Sequence, residues 1–384
     1  PTCMAFAMKL AQKKAELSEC PHASDEAKAT LGAASEPPIR LVRIGSGANA
    51  IEMGNETVMF RHEKKFFHQT AIAIQLNTSE SEDILIQKIK DIENYRVERV
   101  GEELKTDLFF ITYDSKDKNN FIKLIKHTKE YSTKGLILDC SDLVTVEEGL
   151  KLLVNDHPAL FLQDPLSEKH IEIAKKYNTG LIISASSYDD LAGQTEKAKQ
   201  AGVNDLILNL KSKNMAGRIQ NNTILRRSAL KKNFKPFGYP IFTYIDSNDK
   251  YDLIAQASAY LSKYSSIIVL PDFDKAMLYT LFTLRQNIYT DPQRPIQVEP
   301  KIYEIGEPSP ESPVFITTNF SLTYFIVSGE IENSGISAHL VVCDCEGQSV
   351  LTAWAAGKFV GDTIAKFTKE IELENKVKTR KIVI

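Results

Sequence analysis

The stretch "LFFITYDSKDKNNFIKLIKHTKEYSTKGLILD", residues 108–139, contains the pattern that decides the fold. Its two ends, LFFIT (108–112) and GLILD (135–139), are short continuous apolar runs, and the segment NNFIKLIKHTKEY (119–131) between them is charged and amphipathic. Strands that are apolar along their whole length are buried on both faces, which is typical of a parallel sheet covered by helices. The stretch therefore predicts a strand, a helix and a second, parallel strand.

The same unit recurs along the chain from about residue 39. Six further apolar runs of this kind lie at 71–76, 159–164, 180–184, 205–209, 240–245 and 266–270. Eight strands that alternate with helices predict a (β/α)8 barrel, although a doubly wound open sheet with the same elements remains an alternative. The earlier segments RLVRIG (40–45) and ETVMF (56–60) predict a hairpin added at the base of the barrel.

The N-terminal segment predicts a small module of a different kind. Apolar residues recur with helical period over 4–17, and the Cys20-Pro21 dipeptide then interrupts the pattern. Domains below about 40 residues usually need a metal or a covalent link, so Cys3 and Cys20 are candidate metal ligands. The alternative is that both thiols are ordinary buried side chains. The polar sequence that follows, ending in Pro37-Pro38, predicts a linker.

The C-terminal region predicts a small α/β domain. A proline-rich stretch at 286–313 reads as a linker, and a helix at 319–332, a strand at 338–345 and a helix at 352–371 are expected after it. The final run RKIVI (380–384) is strand-like, with nothing after it to pair with. We therefore expect this domain to be incomplete and both ends of the sequence to be cut.

Composition places the chain among ordinary globular proteins and argues against several kinds of partner. Of 384 residues, 43% are hydrophobic and 25% are charged, and the formal net charge is −3. No block of Lys and Arg is long enough to follow a phosphate backbone, so nucleic acid is not expected. No apolar run approaches the ~20 residues that span a bilayer, and no secretion signal is present. We expect a cytoplasmic protein without a membrane partner, whose five cysteines are thiols.

Polar residues follow several predicted barrel strands, at the end where barrel enzymes carry their catalytic groups. They are Asp139, Gln163, Asp164, Ser184, Asn209 and Asp246. Polar residues also occur wherever strands meet loops, and this set contains no histidine, no pair of lysines and no metal-ligand spacing. The pattern identifies no catalytic residue. Cys343 and Cys345 lie two apart on a predicted strand, where core packing is favoured over metal binding.

Two loop segments near the C terminus predict a ligand site. TTNFSLTYF (317–325) and SVLTAWAAGKFVGDT (349–363) each join a strand-like run to a helix through Thr, Ser, Asn or Gly. Such loops place backbone N–H groups and the positive end of a helix around a polar ligand. With Trp354 and Phe359 for apolar contact, they predict a pocket for a large, flat ligand with amide groups on its rim.

These segments resemble one known family. The residues that carry the resemblance are PTCMAFAMKLAQKKAELSECPH (1–22), ALKKNFKPFGYP (229–240), TTNFSLTYFIVSGEIE (317–332) and SVLTAWAAGKFVGDTIAKF (349–367). They are similar to the large (gamma) subunit of the corrinoid iron–sulfur protein of the reductive acetyl-CoA (Wood–Ljungdahl) pathway, also found in acetyl-CoA decarbonylase/synthase complexes. The resemblance covers essentially the whole chain.

The resemblance implies an α/β chain with three parts. Residues 1–35 would hold the C-terminal part of a 4Fe-4S module and a linker, 36–300 a TIM barrel, and 301–384 a linker and an incomplete Rossmann-like corrinoid-binding domain. The family's cluster motif is Cys-x2-Cys-x4-Cys-x16-Cys, and Cys3 and Cys20 match its third and fourth cysteines. The first two would precede this numbering.

The resemblance also implies where a cobamide would bind. The implied contacts are Thr318, Asn319, Thr323, Ser349, Val350, Leu351, Thr352, Ala353, Trp354 and Gly357, with Thr352 beneath the cobalt. The seven histidines are scattered, and no Asp-x-His-x-x-Gly sequence is present. Corrinoid proteins with that sequence hold cobalt through a histidine, so its absence predicts a base-off cobamide with only a weak lower ligand.

The implied function is that of a methyl carrier rather than a stand-alone enzyme. Cob(I)amide would accept a methyl group from methyltetrahydrofolate through a separate methyltransferase and donate it to the nickel site of CO dehydrogenase/acetyl-CoA synthase. The 4Fe-4S cluster would reduce Co(II) that forms by oxidation, and a small (delta) subunit would complete a heterodimer. Two rival hypotheses are a pterin-dependent methyltransferase that uses the TIM barrel itself, and a structural scaffold subunit.

Overall fold

The computed structural model describes residue 6 and residues 37–100, 102–247, 249–291 and 295–384. Cys3, Cys20 and nearly all of the predicted module at 1–35 lie outside these residues. Strands and helices alternate along most of the described chain. The strands are β1 (Val42–Ile44), β2 (Ile51–Met53), β3 (Ala71–Asn77), β4 (Val97–Arg99), β5 (Glu102–Leu104), β6 (Leu108–Thr112), β7 (Gly135–Asp139), β8 (Ala159–Phe161), β9 (Gly180–Ala185), β10 (Leu206–Leu210), β11 (Phe242–Tyr244), β12 (Ile267–Leu270), β13 (Ile302–Ile305), β14 (Val314–Thr318), β15 (Ala338–Cys343) and β16 (Ile382–Val383).

The helices lie between these strands, and those of the barrel carry most of their apolar residues on the side that faces the sheet. They are α1 (Glu82–Asn94), α2 (Lys118–Tyr131), α3 (Leu143–Lys151), α4 (Glu168–Tyr177), α5 (Tyr188–Gln200), α6 (Met215–Lys232), α7 (Lys250–Ser262), α8 (Lys275–Tyr289), α9 (Ser321–Asn333), α10 (Val350–Ala355), α11 (Gly361–Glu370) and α12 (Leu373–Lys376). In α2, for example, Phe121, Leu124, Ile125 and Thr128 are buried, which is the spacing of one helical face.

Eight of the strands form one parallel sheet that nearly closes on itself. Their spatial order is β10, β9, β8, β7, β6, β3, β12, β11, and every neighbouring pair is parallel. Leu208 in β10 forms a parallel bridge with Ile241, directly before β11, so the two edge strands meet. The eight predicted strands are confirmed, and the sheet is a nearly closed (β/α)8 barrel rather than an open sheet.

The β1–β2 hairpin closes the amino-terminal end of the barrel. Ile44 and Met53 belong to the apolar cluster that fills the barrel interior around Phe110. The backbone N–H of Gly45 donates to the carbonyl oxygen of His157, in the loop before β8, at 3.0 Å. A hairpin therefore lies at the base of the barrel as predicted, and the segment at 40–45 forms its first arm.

The second arm of that hairpin differs from the prediction. It is β2, and the predicted segment at 56–60 is held by a buried arginine instead of by strand pairing. Arg226 donates through Nη2 to the carbonyl oxygen of Val58 at 2.6 Å and pairs with Glu56 at 3.1 Å. The hydrogen-bond donor for the Val58 carbonyl group thus comes from a side chain 168 residues away. Local sequence pattern does not reveal such a distant partner.

The remaining long strands form a four-stranded sheet in the order β13, β15, β14, β16. β14 is parallel to β15 and β16, whereas β13 is antiparallel to β15. Ile331 of α9 belongs to the cluster with Leu340 on one face, and Ala353 of α10 and Leu373 of α12 belong to the cluster with Val341 on the other. The C-terminal region is therefore a three-layer α/β sandwich.

Three predictions for this region are wrong in detail. The predicted linker at 286–313 contains strand β13, because Ile302–Ile305 pair with residues 338–341 of β15. The last strand, expected to have nothing to pair with, pairs with β14 through Ile382 and Val383. The predicted helix at 352–371 is two helices, α10 and α11, because Gly357 adopts a left-handed φ of +71° that ends the first.

Candidate functional site

The carboxyl end of the barrel carries an inward-facing polar layer above the apolar interior. Side chains alternate along each strand, so the inward row that contains Ala73, Ile137 and Ile182 continues to the next inward position. Those positions hold Gln75, Thr112, Asp139, Phe161, Ser184, Asn209 and Tyr244. Among the predicted rim residues, Gln163, Asp164 and Asp246 are exposed instead.

Hydrogen bonds within this layer converge on Asp139. The hydroxyl of Tyr244 donates to Oε1 of Gln75 at 2.8 Å, and Nε2 of Gln75 donates to Oγ1 of Thr112 at 3.0 Å. Thr112 and Gln163 both hydrogen-bond to the Asp139 carboxyl, Gln163 through Nε2 at 2.6 Å from Oδ1. The carboxyl of Asp139 is thus the terminal acceptor of a chain of donors.

A second pair of rim residues is joined in the same way. Nδ2 of Asn209 donates to Oγ of Ser184 at 2.9 Å, and Nη1 of Arg218 donates to Oδ1 of Asn209 at 3.1 Å. All three side chains are buried. The structure therefore brings four of the six predicted rim residues into two hydrogen-bonded groups, and it adds Arg218, which lies on α6 and carries no signal in the strand pattern.

Burial raises the pKa of Asp139 to about 6, although its bonds to Gln163 and Thr112 act in the opposite direction; the Asp114 carboxylate raises this pKa further. The residue is 7% exposed. In the described part of the chain, no lysine or arginine forms an ion pair with it. Asp139 is therefore a buried carboxyl group that carries an uncompensated charge at neutral pH.

Asp139→Asn is expected to stabilise the folded chain at neutral pH. Because the folded pKa lies above the unfolded value of about 3.9, the carboxyl's contribution to stability is largest below pH 4 and falls as the pH rises to 6. Asparagine keeps an acceptor for Gln163 and carries no charge. We expect a gain of about 2–3 kcal/mol in the free energy of unfolding at pH 7 that vanishes below pH 4. Urea unfolding at both pH values measures this, and a pH-independent difference would contradict it.

The loops after β14 and β15 begin at the same edge of the second sheet. The two strands are adjacent and parallel, with Thr318 level with Cys343. Helix α9 starts at Ser321 and α10 at Val350, each a few residues beyond its strand. Ligands of open α/β sheets bind outside the carboxyl ends of the strands. Both predicted ligand-binding segments therefore meet at the edge where a ligand is expected.

Asn319 joins these two loops through every hydrogen-bonding position of its amide. Oδ1 accepts from the backbone N–H groups of Cys345 and Gly347, at 2.9 and 3.0 Å. Nδ2 donates to Oδ1 of Asp344 at 3.1 Å and to Oε1 of Gln297 at 3.2 Å. The side chain is completely buried. Asn319 is therefore the residue that fixes one loop against the other, and Gln297 and Asp344 are partners that the sequence did not suggest.

Hydroxyl groups at this edge are available to a ligand. Oγ1 of Thr318 is buried and has no hydrogen-bond partner among the described residues. Oγ of Ser349 and Oγ1 of Thr352 lie 3.0 Å apart in the first turn of α10, where Thr352 is exposed. Thr323 lies in the first turn of α9 and is half-buried. An unpaired buried hydroxyl costs free energy, which a polar ligand group would recover.

Large apolar side chains are exposed on the two helices that follow these loops. Leu322, Phe325 and Ile326 on α9 and Leu351 and Trp354 on α10 have exposed fractions between 46% and 79%. Monomers rarely leave such groups of apolar residues uncovered. Leu322, Phe325 and Ile326 were missed as site residues, although α9 is apolar around most of its circumference, which a helix with one buried face does not need.

The other predicted contacts lie in different surroundings. Val350 is half-buried at the start of α10. The side chain of Ala353 is completely buried in the apolar cluster beneath that helix. Gly357 is exposed, and no atom lies within 4 Å of the position of an added Cβ. Of these three residues, Gly357 leaves the most open space beside the loop.

Cys343 and Cys345 do not share a strand, because β15 ends at Cys343. Both are buried free thiols. Burial raises the pKa of Cys343 to about 12 and that of Cys345 to about 11. Metal ligation and nucleophilic attack both require a thiolate. The prediction that these residues pack in the core agrees with their burial.

Two searches of the described residues were negative. No group of three or more His, Cys, Asp or Glu side chains is placed to hold a metal ion in this part of the chain. Over the same residues, every helix is either too short or too polar to cross a membrane.

Comparison with known families matches most of the chain. The family described as CO dehydrogenase/acetyl-CoA synthase delta subunit matches residues 41–384. A second family, described as a putative Fe-S cluster, matches residues 1–22, which include Cys3 and Cys20. The second match covers the segment in which sequence analysis placed a cluster.

Individual relatives align along the whole chain. The chain is 40% identical to the corrinoid/iron–sulfur protein large subunit of Moorella thermoacetica over 385 residues, which cover 100% of this chain and 86% of that protein. It is 31% identical to the acetyl-CoA decarbonylase/synthase complex subunit gamma of Methanocaldococcus jannaschii, with 100% of this chain and 85% of that protein covered. Among solved structures, a Yersinia pestis DHPS with a pterine-sulfa conjugate aligns with 57% of this chain and 94% of the DHPS chain, at 15% sequence identity. The TM-score of this alignment is 0.43, which is too low to bear on function. The chain belongs to the family of corrinoid/iron–sulfur protein large subunits and acetyl-CoA decarbonylase/synthase gamma subunits.

Proposed function

We propose that this chain is a methyl carrier subunit that binds a corrinoid at the carboxyl edge of its C-terminal sheet. The observation that carries the proposal is that two loops, with the helices that follow them, bring hydroxyl groups and exposed apolar side chains together at one edge of the sheet. A corrinoid is flat, apolar on its faces and rimmed by amides, so this combination fits it. The names of the aligned relatives, which include a corrinoid/iron–sulfur protein, support the same ligand.

The residues at this edge have distinct roles in the proposal. The unpaired hydroxyl of Thr318 and the hydroxyls of Thr323 and Ser349 would hydrogen-bond to ligand amides, and Trp354 and Leu351 would cover an apolar face. Asn319 would position the loops instead of contacting the ligand, because its amide is fully used. When bound, the corrinoid would supply a cobalt centre that takes up and gives away a methyl group.

In the described residues of the four-stranded sheet and its helices, no histidine lies at this edge. His339 is the only histidine after residue 170. It is buried near the start of β15, with Nε2 3.2 Å from the carbonyl oxygen of Ser309. Cys343 ends the strand four residues later, which at ~3.3 Å per residue places His339 roughly 13 Å from the edge. We therefore propose a base-off cobamide, with Thr352 on the lower side of the metal.

The N-terminal segment would hold the second cofactor. We propose that Cys3 and Cys20 are two of the four thiolate ligands of a 4Fe-4S cluster, which supplies electrons that return oxidised cobalt to its reactive state. The match of residues 1–22 to a putative Fe-S cluster family supports this role. The proposed partners are a small (delta) subunit, a methyltetrahydrofolate methyltransferase and CO dehydrogenase/acetyl-CoA synthase.

Metal analysis with a visible spectrum tests the proposal. The full-length protein, prepared anaerobically with its small subunit, is expected to be brown-red and to contain cobalt and iron in a ratio of about 1:4. A colourless protein would favour the scaffold hypothesis. Methyl transfer from methyltetrahydrofolate by cobalt-free protein would favour the hypothesis that the barrel itself is a methyltransferase.

Thr352→His is expected to make Co(II) harder to reduce. An imidazole donor below the metal stabilises Co(II) relative to four-coordinate Co(I), because the axial ligand is a main determinant of a metal's potential. Redox titration followed by EPR should show a more negative midpoint potential and nitrogen hyperfine coupling. The control is Thr368→His on α11, which should change neither. Unchanged potential and EPR spectrum in Thr352→His would contradict the placement of Thr352.

A further inference from the structure

The polar mouth of the barrel has no role in the proposed function. Its hydrogen bonds run in one direction, from Tyr244 through Gln75 and Thr112 to Asp139, while Gln163 donates to the same carboxyl from the other side. Gln75 also donates through Nε2 to Oδ1 of Asn77 at 2.7 Å, but the two donors that contact the Asp139 carboxyl, Thr112 and Gln163, reach it from opposite sides. Such a network preorganises an anionic acceptor, because a carboxylate that receives several hydrogen bonds is favoured in its charged form.

The network leaves this acceptor without a cation. Burial of a carboxylate that has no counter-charge costs free energy, and an asparagine would accept the same bond from Gln163. The charged groups nearest to the network do not compensate it. Asp114 is itself negative and hydrogen-bonded to Ser79, and Lys211 places Nζ 3.4 Å from the backbone oxygen of Gln163. Asp139 therefore has the properties of a binding group rather than a stabilising one.

The neighbouring side chains define the shape and polarity of a ligand. Gln163 donates through Nε2, so its amide oxygen remains as a second acceptor beside the carboxyl. Phe161 is level with Asp139 on the adjacent strand, and Tyr244 lies at the same inward layer; both are half-buried. Their rings pack on Phe110 at centroid distances of 5.6 and 5.9 Å, which fixes them as a floor. A flat ligand with two adjacent N–H groups that donate to the two carboxylate oxygens, and a further N–H toward the Gln163 oxygen, satisfies both side chains and covers the aromatic floor.

We propose that the mouth of the barrel binds a small flat heterocycle that presents an amidine-type edge, as in a 2-aminopyrimidinone. Asp139 accepts two N–H groups from that edge, Gln163 assists, and Phe161 and Tyr244 contact the ring. This site lies in the eight-stranded barrel, and the corrinoid proposal concerns the four-stranded sheet. Its outcome is therefore independent of whether the chain carries cobalt.

Calorimetric titration of the full chain with two matched heterocycles tests the site. We expect saturable binding of 2-aminopyrimidin-4-one, and binding at least about tenfold weaker for pyrimidin-4-one, which lacks the amino donor. Asp139→Asn should lose at least about tenfold in affinity for the first compound, because an amide N–H would oppose a ligand N–H. Asp164→Asn, an exposed carboxyl next to Gln163, is the matched control and should bind like the wild type.

A second variant tests the same site without changing the charge of Asp139. Gln163 is exposed, so Gln163→Ala should fold normally and weaken binding of 2-aminopyrimidin-4-one severalfold. The proposal would be overturned by absence of saturable binding to the wild-type chain. It would also be overturned by equal affinities for the two heterocycles, or by full affinity in a folded Asp139→Asn.

Discussion

Asn319→Ala is expected to abolish corrinoid binding while the barrel stays folded. The substitution leaves the buried N–H groups of Cys345 and Gly347 without acceptors and removes the donors that hold Asp344 and Gln297. Each unsatisfied buried group costs about 1–3 kcal/mol, so the two loops lose their fixed relation. We expect the cobalt content of purified protein to fall more than about tenfold, as measured by metal analysis after anaerobic reconstitution with excess cobamide.

Asn319→Asp separates the role of the acceptor from that of the donors. Aspartate keeps an oxygen for the N–H groups of Cys345 and Gly347, but its second oxygen faces Oδ1 of Asp344 and Oε1 of Gln297. Repulsion at this buried site should make it as defective as the alanine variant. Asn333→Ala, at the exposed C-terminal end of α9, is the control. Normal cobalt content in Asn319→Ala would show that Asn319 does not position the loops.

Arg226→Met is expected to destabilise the barrel by about 3–5 kcal/mol. The guanidinium is buried between the rings of Phe66 and Tyr264, 4.9 and 4.7 Å from their centroids, and pairs with the equally buried Glu56. It also donates to the carbonyl oxygen of Val58. Methionine fills similar space but leaves the Glu56 carboxylate without a counter-charge. Urea denaturation at pH 7 measures the change in the free energy of unfolding.

The adjacent arginine provides a matched control. Arg227 is exposed on the same helix, and Arg227→Met should change the free energy of unfolding by less than about 0.5 kcal/mol. Glu56→Gln combined with Arg226→Met should recover part of the loss, because no unpaired charge is then buried. Equal effects of the two arginine substitutions would show that the ion pair and its aromatic neighbours contribute nothing specific.

The local pattern of apolar residues was sufficient to predict the barrel strands, but it was not sufficient to predict where several other strands and helices begin and end. Continuous apolar runs such as 135–139 predict buried strands because both faces of the sheet are covered. The segment at 56–60 looked like a strand for the same reason, yet it pairs with no strand in the described part of the chain, and the carbonyl oxygen of Val58 accepts from Arg226. β13 was missed because the prolines on either side of Ile302–Ile305 are typical of a linker. Its partner strand, β15, lies more than thirty residues away. Pairing between distant segments is not contained in local periodicity.

The sequence by itself determined the eight buried strands and the helices between them, the α/β character of the C-terminal region and, through its resemblance, the family, whereas the closure of the strands into a barrel is seen only in the structure. It also named the two loop segments that meet at one sheet edge. Only the tertiary structure decided that Asn319 fixes those loops, that Leu322 and Trp354 remain uncovered, and that Asp139 accepts from both Gln163 and Thr112. The physical reason is that apolar periodicity follows from local geometry, whereas hydrogen-bond direction, burial and charge compensation depend on which distant residues the fold brings together.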